Sequence, residues 1–148
     1  MENIFEVVKI KQEIRESEHP SAWYSIKSPE DVAEIARKEI ADEDREVFFL
    51  ACLNTKNKVV AIHRVHVGAL SSSLVNVRES YKAAILNNAA SIICFHQHPS
   101  GDSKPSEEDK AVTRRLKEAG EILQIQLLDH IIISFTGEHT SLKEKGYL

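Results

Sequence analysis

Cysteine is scarce: the 148 residues contain two, Cys52 and Cys94. They show neither CxxC spacing nor the dense, even pattern of a disulfide framework, which excludes a disulfide-stapled scaffold. Each sits inside an apolar run, and both read as buried, reduced thiols of a cytoplasmic protein. Long apolar runs are missing as well. No uninterrupted stretch approaches the roughly 18 residues that a membrane-spanning helix needs, so no membrane partner is expected. The opening MENIFEVVKI lacks a basic region followed by a sustained apolar one, and is not read as a secretion signal. Positive charge is not in excess, since 19 Lys and Arg against 23 Asp and Glu leave a net −4. No global field draws nucleic acid or anionic lipid, although a local patch stays open. Repeats, low-complexity tracts and interdomain linkers are not found.

What remains is an ordinary soluble composition, 42% hydrophobic and 28% charged. The length suits one domain with a real core. Residues 3–16 alternate partially, with β-branched residues, and predict a strand. Glu18-His19-Pro20-Ser21 breaks it. Ser28 as N-cap, Pro29 at the first helical position, and Glu30 and Asp31 in the first turn mark a helix whose buried face is Val32, Ile35, Ala36 and Ile40. The near-continuous apolar run 46–53 predicts a buried strand. NTKNK at 54–58 is a turn, and 59–67 is the returning strand. Asn76 is placed to cap a helix with an apolar stripe of Val77, Tyr81, Ala84, Ile85 and Ala89. Residues 91–95 form a strand. The helix after Ser106 carries Ala111, Val112, Leu116 and Ala119 and is expected to end at Gly120. The last long strand falls within 122–134, interrupted by Asp129-His130, and 137–148 is expected to hold a short helix. Interleaved strands and helices give an α/β or α+β class around one sheet.

The stretch IICFHQHPSGDSKPSEED, residues 92–109, carries the chemistry. His96 and His98 end an apolar strand, and side chains at i and i+2 point to one side. Pro99, Gly101 and Pro105 constrain the loop that follows. Asp109 stands at the fourth position of a helix capped by Ser106, so it can fold back across the strand end, with Ser106 on the same helix face. Two imidazoles, a carboxylate and an open position are the make-up of a catalytic zinc site. The plainer reading is that Ser106-x-x-Asp109 is a capping box and the histidines are hydrogen-bonded strand residues. On these residues alone both readings stand. His63 and His66, three apart on a strand, face opposite sides and read as structural. Arg64, Arg78, Lys104, Arg114 and Arg115 are read either as a basic rim near the site or as a solvated face. Asp129 and His130 are read as turn and packing residues or as partners of the ligands, with Asp129 orienting an imidazole.

His96-Gln97-His98, seven residues, then Ser106-Glu107-Glu108-Asp109 resembles the H-x-H-x(7)-S-x-x-D signature of the JAB/MPN (JAMM) metalloprotein superfamily. HQHPSGDSKPSEED, the later LLDHIIIS and the opening EVFFLACLNTKNKV resemble its bacterial RadC branch. The resemblance covers about residues 28–148, with 1–27 as an N-terminal strand and connector. It implies a single α/β domain with a JAB/MPN-like, cytidine-deaminase-like mixed sheet flanked by helices. It implies zinc held by His96, His98 and Asp109, with Glu46 as general base. Ser106 would hydrogen-bond the oxyanion or the water on the metal. Read bottom-up, Glu46 is one of several nearby acids, with Glu43 and Asp44, and only the resemblance selects it. Gln97 stands where the branch commonly has Asn, and should point away from the metal. The helix-hairpin-helix region of longer RadC proteins does not fit into the 27 residues before the first helix.

The expected activity is zinc-dependent hydrolysis of an amide or isopeptide bond in a peptide substrate. A metal-dependent hydrolase acting on nucleic acid in a DNA-repair-related role is one alternative, since motif and fold do not fix substrate. A non-catalytic interaction module is the other, and the intact ligand set argues against it.

Overall fold

The computed structural model describes residues 2–16, 25–40, 45–67 and 76–148. Helix α1, Pro29–Ile40, begins where the sequence marks it. Ser28 Oγ accepts the Asp31 N–H, and Asp31 Oδ2 accepts the N–H groups of Lys27 and Ser28 at 2.8 and 3.1 Å. Strand β1, Val47–Leu53, is buried along its whole length. Asn54 Oδ1 accepts from Lys56 N and Lys58 N, both at 3.0 Å, and this turn returns the chain into β2, Val59–Val67. Asn76 caps α2, Val77–Leu86, by accepting from Arg78 N at 2.8 Å. Strand β3, Ser91–His98, delivers the two histidines, and α3, Glu107–Leu123, follows the loop. Strands β4, Gln126–Ser134, and β5, His139–Ser141, complete the sheet.

The sheet order is β2-β1-β3-β4-β5. Only β3 and β4 run parallel, joined by the crossover helix α3; the other neighbours are antiparallel. The central strands β1 and β3 are covered on both faces, which is why they read as continuous apolar runs. On one face Phe49, Ala51, Ile93, Phe95 and Ile131 pack against Val32, Ile35 and Ala36 of α1. On the other, Phe48, Leu50, Ile92, Cys94 and Leu127 pack against Tyr81 and Ala84 of α2 and Val112 and Leu116 of α3. Cys52 and Cys94 are free and buried on this second face, and burial pushes the Cys52 thiol up to about 11. The expected mixed sheet flanked by helices is what forms. No described helix is long and apolar enough to cross a membrane.

Five expectations are corrected. Residues 2–16 form no strand, and Ile4, Phe5, Val7, Val8, Ile10 and Ile14 are exposed. Alternation alone does not hold a strand, which needs backbone pairing to a neighbour. Ile85, counted in the α2 stripe, faces solvent, because it lies one position round from buried Ala84. Helix α3 does not stop at Gly120. It runs to Leu123 and is closed by Gln124 in the left-handed region, φ 59°. Gly120 is small for another reason: a Cβ there would lie 2.5 Å from both the Ile125 carbonyl oxygen and the Tyr81 hydroxyl. Asp129 and His130 do not interrupt the last strand. They pair with Ile93 and Cys94, and the irregularity falls just before Asp129. Residues 137–148 hold β5 and turns rather than a short helix. The break at 18–21, the acids Glu43 and Asp44, and the small-residue loop near 68–73 lie outside the described residues.

Candidate metal centre

Strand direction gathers the site. His96 and His98 stand at the C-terminal end of β3. Because β1 is antiparallel to β3, with Phe48 opposite His96, the start of β1 lies at that same end. Glu46 precedes β1 and shares the Phe48 face by two-residue alternation. Its Oε2 is 4.0 Å from His96 Nε2. The crossover from β3 brings the first turn of α3 over the pair. Asp109 is buried there, with Oδ1 3.0 Å from His96 Nδ1 and Oδ2 3.2 Å from His98 Nε2. The imidazoles meet edge to face at 4.8 Å. One ligand atom from each of His96, His98 and Asp109 lies within 4.8 Å of the others, and this is the one such three-residue group of His, Cys, Asp or Glu among the described residues.

The capping box is real, and it serves the site. Ser106 Oγ accepts the Asp109 N–H at 3.1 Å, while Asp109 Oδ2 accepts the Ser106 N–H at 2.7 Å. One oxygen of the carboxylate is thereby fixed by the backbone that starts the helix. The two readings of Ser106-x-x-Asp109 were never exclusive. His98 is oriented from its other side, where Nδ1–H donates to the Asp102 carbonyl at 3.1 Å. That bond leaves Nε2 as the atom turned toward Asp109, the arrangement usual for a metal-ligating histidine.

A cation fits this donor set. His96 is almost fully buried, yet neither of its ring nitrogens has a hydrogen-bond partner among the described residues. Nδ1 is close to Asp109 Oδ1 but not at a hydrogen-bonding angle. The 3.0 and 3.2 Å separations run to different oxygens of Asp109; with one donor atom per residue the set lies within 4.8 Å, against about 3.3 Å between donors held at about 2.0–2.1 Å around a tetrahedral ion. Without a cation or a proton between them, the carboxylate oxygens and bare imidazole nitrogens would oppose lone pair to lone pair. Electrostatics agree. Burial works to raise the Asp109 pKa, but the two imidazoles and the Ser106 N–H more than offset it and hold the carboxyl well below its usual range. Burial works to lower the His98 pKa, and the Asp109 carboxylate outweighs it and raises it.

Gln97 is buried on the opposite face, with Phe95. Arg64 lies over the Phe49 ring at 5.7 Å, also on the opposite face, so it is no part of a rim at the site. Arg78, Lys104, Arg114 and Arg115 are exposed. His63 is exposed and His66 half-buried; a bulge in β2 sets them opposite Leu50 and Phe48, on one face rather than the expected two, and neither belongs to the three-residue cluster. Asp129 orients no imidazole. It accepts from Ser141 Oγ at 2.6 Å, His130 N at 2.7 Å and Lys143 N at 3.1 Å, fastening the C-terminal segment to β4. Sequence reasoning missed Thr113, which bonds the Asp109 carbonyl at 2.8 Å. Its spacing, four residues after Asp109, was the available signal. The cleft at the far end of α3, lined by Gly120, Gln124 and Leu128, is remote from these groups.

The fold and site together define a three-layer α/β domain with a His-His-Asp cluster able to bind a metal at one sheet end. The family model described as RadC-like JAB domain matches residues 26–147, and the chain belongs to that family. It is 51% identical over 124 residues to a UPF0758 protein of Caldanaerobacter subterraneus subsp. tengcongensis, covering 84% of this chain and 53% of that one. A UPF0758 protein of Bacillus cereus is 50% identical over 127 residues, covering 84% and 55%. One from Desulforamulus reducens is 50% identical over 123 residues, covering 83% and 54%. The chain thus spans about half the length of the curated relatives it matches.

Proposed function

We propose that the domain is a zinc-dependent hydrolase that cleaves an amide or isopeptide bond in a peptide substrate. The observation that carries this is the convergence of His96, His98 and Asp109 with both His96 nitrogens buried and unbonded. Two imidazoles and one carboxylate suit zinc better than the all-oxygen sets preferred by magnesium or calcium. Zinc, when bound, supplies Lewis acidity toward a carbonyl and an acidified water near neutral pH. His96, His98 and Asp109 would hold the ion, with Glu46 Oε2 4.0 Å from His96 Nε2. Glu46 takes the proton of the attacking water and returns it to the leaving amine. Its position at the strand start, partly exposed, leaves it access to both. Ser106 Oγ accepts from Asp109 N, and its own proton remains to donate to the developing oxyanion.

The test is the metal content of protein purified without chelator or histidine tag, beside the His96→Ala/His98→Ala double mutant. About one zinc per chain, absent from the mutant, with hydrolysis of a peptide or isopeptide library, is the expected result. Stoichiometric zinc with no hydrolysis of amides, but cleavage of phosphodiesters, would transfer the reading to nucleic acid. No zinc after reconstitution would leave an interaction module.

A further inference from the structure

His130 lies beside the cluster on the same face of the sheet, wholly buried, opposite Cys94. Its ring stands 6.2 Å from that of His96 and meets the Phe48 ring edge-on at 5.8 Å. Its Nδ1 is 2.7 Å from Thr113 Oγ1, which is 2.8 Å from the Asp109 carbonyl oxygen. A carbonyl only accepts, and a hydroxyl has one proton to give. Thr113 therefore donates to Asp109, and His130 Nδ1–H donates to Thr113. The chain of bonds sets the tautomer: the proton is on Nδ1, and Nε2 is bare and without a partner among the described residues.

This chain ends on the backbone of a ligand. The Asp109 carboxylate is fixed at one oxygen by the Ser106 N–H, and its carbonyl is fixed by Thr113. A threonine bonded back to the i−4 carbonyl competes with the helix ladder and tilts that carbonyl. Its rotamer then decides how the first turn of α3 sits. His130 holds that rotamer from β4, the strand that packs under α3. We propose that His130, through Thr113, is a positioning residue that sets the first turn of α3 and thereby aims Asp109 at the metal. The inference rests on the zinc reading above, and it replaces the role first considered for Asp129.

The experiment is zinc affinity by chelator competition, with the visible absorption of the cobalt-loaded protein as a second readout of ligand geometry. Asparagine can present an N–H near the position of Nδ1, whereas glutamine presents one near Nε2. His130→Gln and Thr113→Val should each weaken zinc about ten- to a hundredfold, the usual effect of removing a group that orients a ligand. Both should shift the cobalt spectrum. His130→Asn and Thr113→Ser should restore affinity and spectrum toward wild type. The His130→Gln/Thr113→Val double mutant should bind no more weakly than either single one, because the two bonds act in series. Equal affinities for His130→Gln and His130→Asn, or wild-type affinity and spectrum for Thr113→Val, would overturn the proposal. Thr113→Val is nearly isosteric and decides the matter alone where His130→Gln does not fold. Wild-type protein that takes up no zinc would overturn the proposed function and this inference together. Wild-type zinc with unaffected variants would overturn this inference only.

Discussion

Replacing His98 with alanine separates the metal's contribution to stability from that of the polypeptide. In the metal-free protein the imidazole makes one bond to the Asp102 carbonyl and one contact with Asp109. The first is worth about 0.5–1.5 kcal/mol net. The second is partly exposed on the His98 side and adds less than a buried charge pair would. The metal-free variant should therefore lose about 1–2 kcal/mol and remain folded. The larger effect is linkage. A ligand present at a hundredfold its Kd, and bound only by the folded state, stabilises by about 2.7 kcal/mol. For a domain of about this size each kcal/mol moves Tm by about 2–4 °C. Zinc should thus raise the wild-type Tm by about 5–11 °C at that excess. His98→Ala should show almost none of this rise at the same zinc concentration. Thermal unfolding by circular dichroism, with and without zinc after chelator treatment, measures both quantities. A variant whose Tm still climbs with zinc as the wild type does would refute the ligand assignment, whatever its metal-free stability.

Three further outcomes are expected. Glu46→Gln should keep its zinc and lose about 10²–10⁴-fold in turnover, as expected for a lost general base; a Gln variant that hydrolyses peptides at the wild-type rate moves the base elsewhere. Gly120→Ala should destabilise the domain by about 1–3 kcal/mol in urea titrations, since the new Cβ meets the Ile125 carbonyl and the Tyr81 hydroxyl and the overpacking exceeds alanine's helix-propensity gain. A more stable alanine variant would show that the turn after α3 gives way easily. Burial and the neighbouring His96 push the His130 pKa down to about 3. The unfolded chain would bind a proton there below about pH 6.5, so this residue costs stability as pH falls, by about 1.4 kcal/mol per unit. Metal-free His130→Asn should accordingly lose stability less steeply than wild type between pH 6.5 and 4.5; parallel slopes would mean that His130 is already charged in the fold.

The site was far more legible than the N-terminus, and the difference is physical. His96, His98, Ser106 and Asp109 are close in the chain, so strand alternation and helix capping place them with no long-range information. Glu46 is 50 residues from His96, and nothing local distinguishes it from Glu43 or Asp44. Strand pairing brings Glu46 to the cluster, through the antiparallel register that sets Phe48 opposite His96. Residues 3–16 failed in the opposite sense. Their composition favours a strand, but a strand exists only against a partner, and that partner is not specified locally. Gly120 misled for a related reason. Glycine after a run of helix formers signals a stop, whereas here it answers a side chain on another helix.

The arrangement of strands explains why the chemistry sits where it does. In open α/β sheets, ligands collect at the C-terminal ends of parallel strands, where crossovers diverge. Here β3 is parallel to β4 on one side and antiparallel to β1 on the other. Its C-terminal end therefore faces both the N-terminus of a crossover helix and the N-terminal approach to a neighbouring strand. The first supplies a carboxylate, Asp109, held by the amides of the helix start. Helix-start amides carry partial positive charge, which would repel a cation by themselves, and the Asp109 carboxylate, bonded by the Ser106 N–H, offsets it. The second supplies Glu46, whose Oε2 lies 4.0 Å from His96 Nε2. A parallel neighbour in place of β1 would have put its own C-terminus there and sent Glu46 to the far end of the sheet. The mixed sheet is thus what lets a carboxylate from the start of one strand face the cluster of the next element pair, and reversing that one pairing would dismantle the centre while leaving its motif intact.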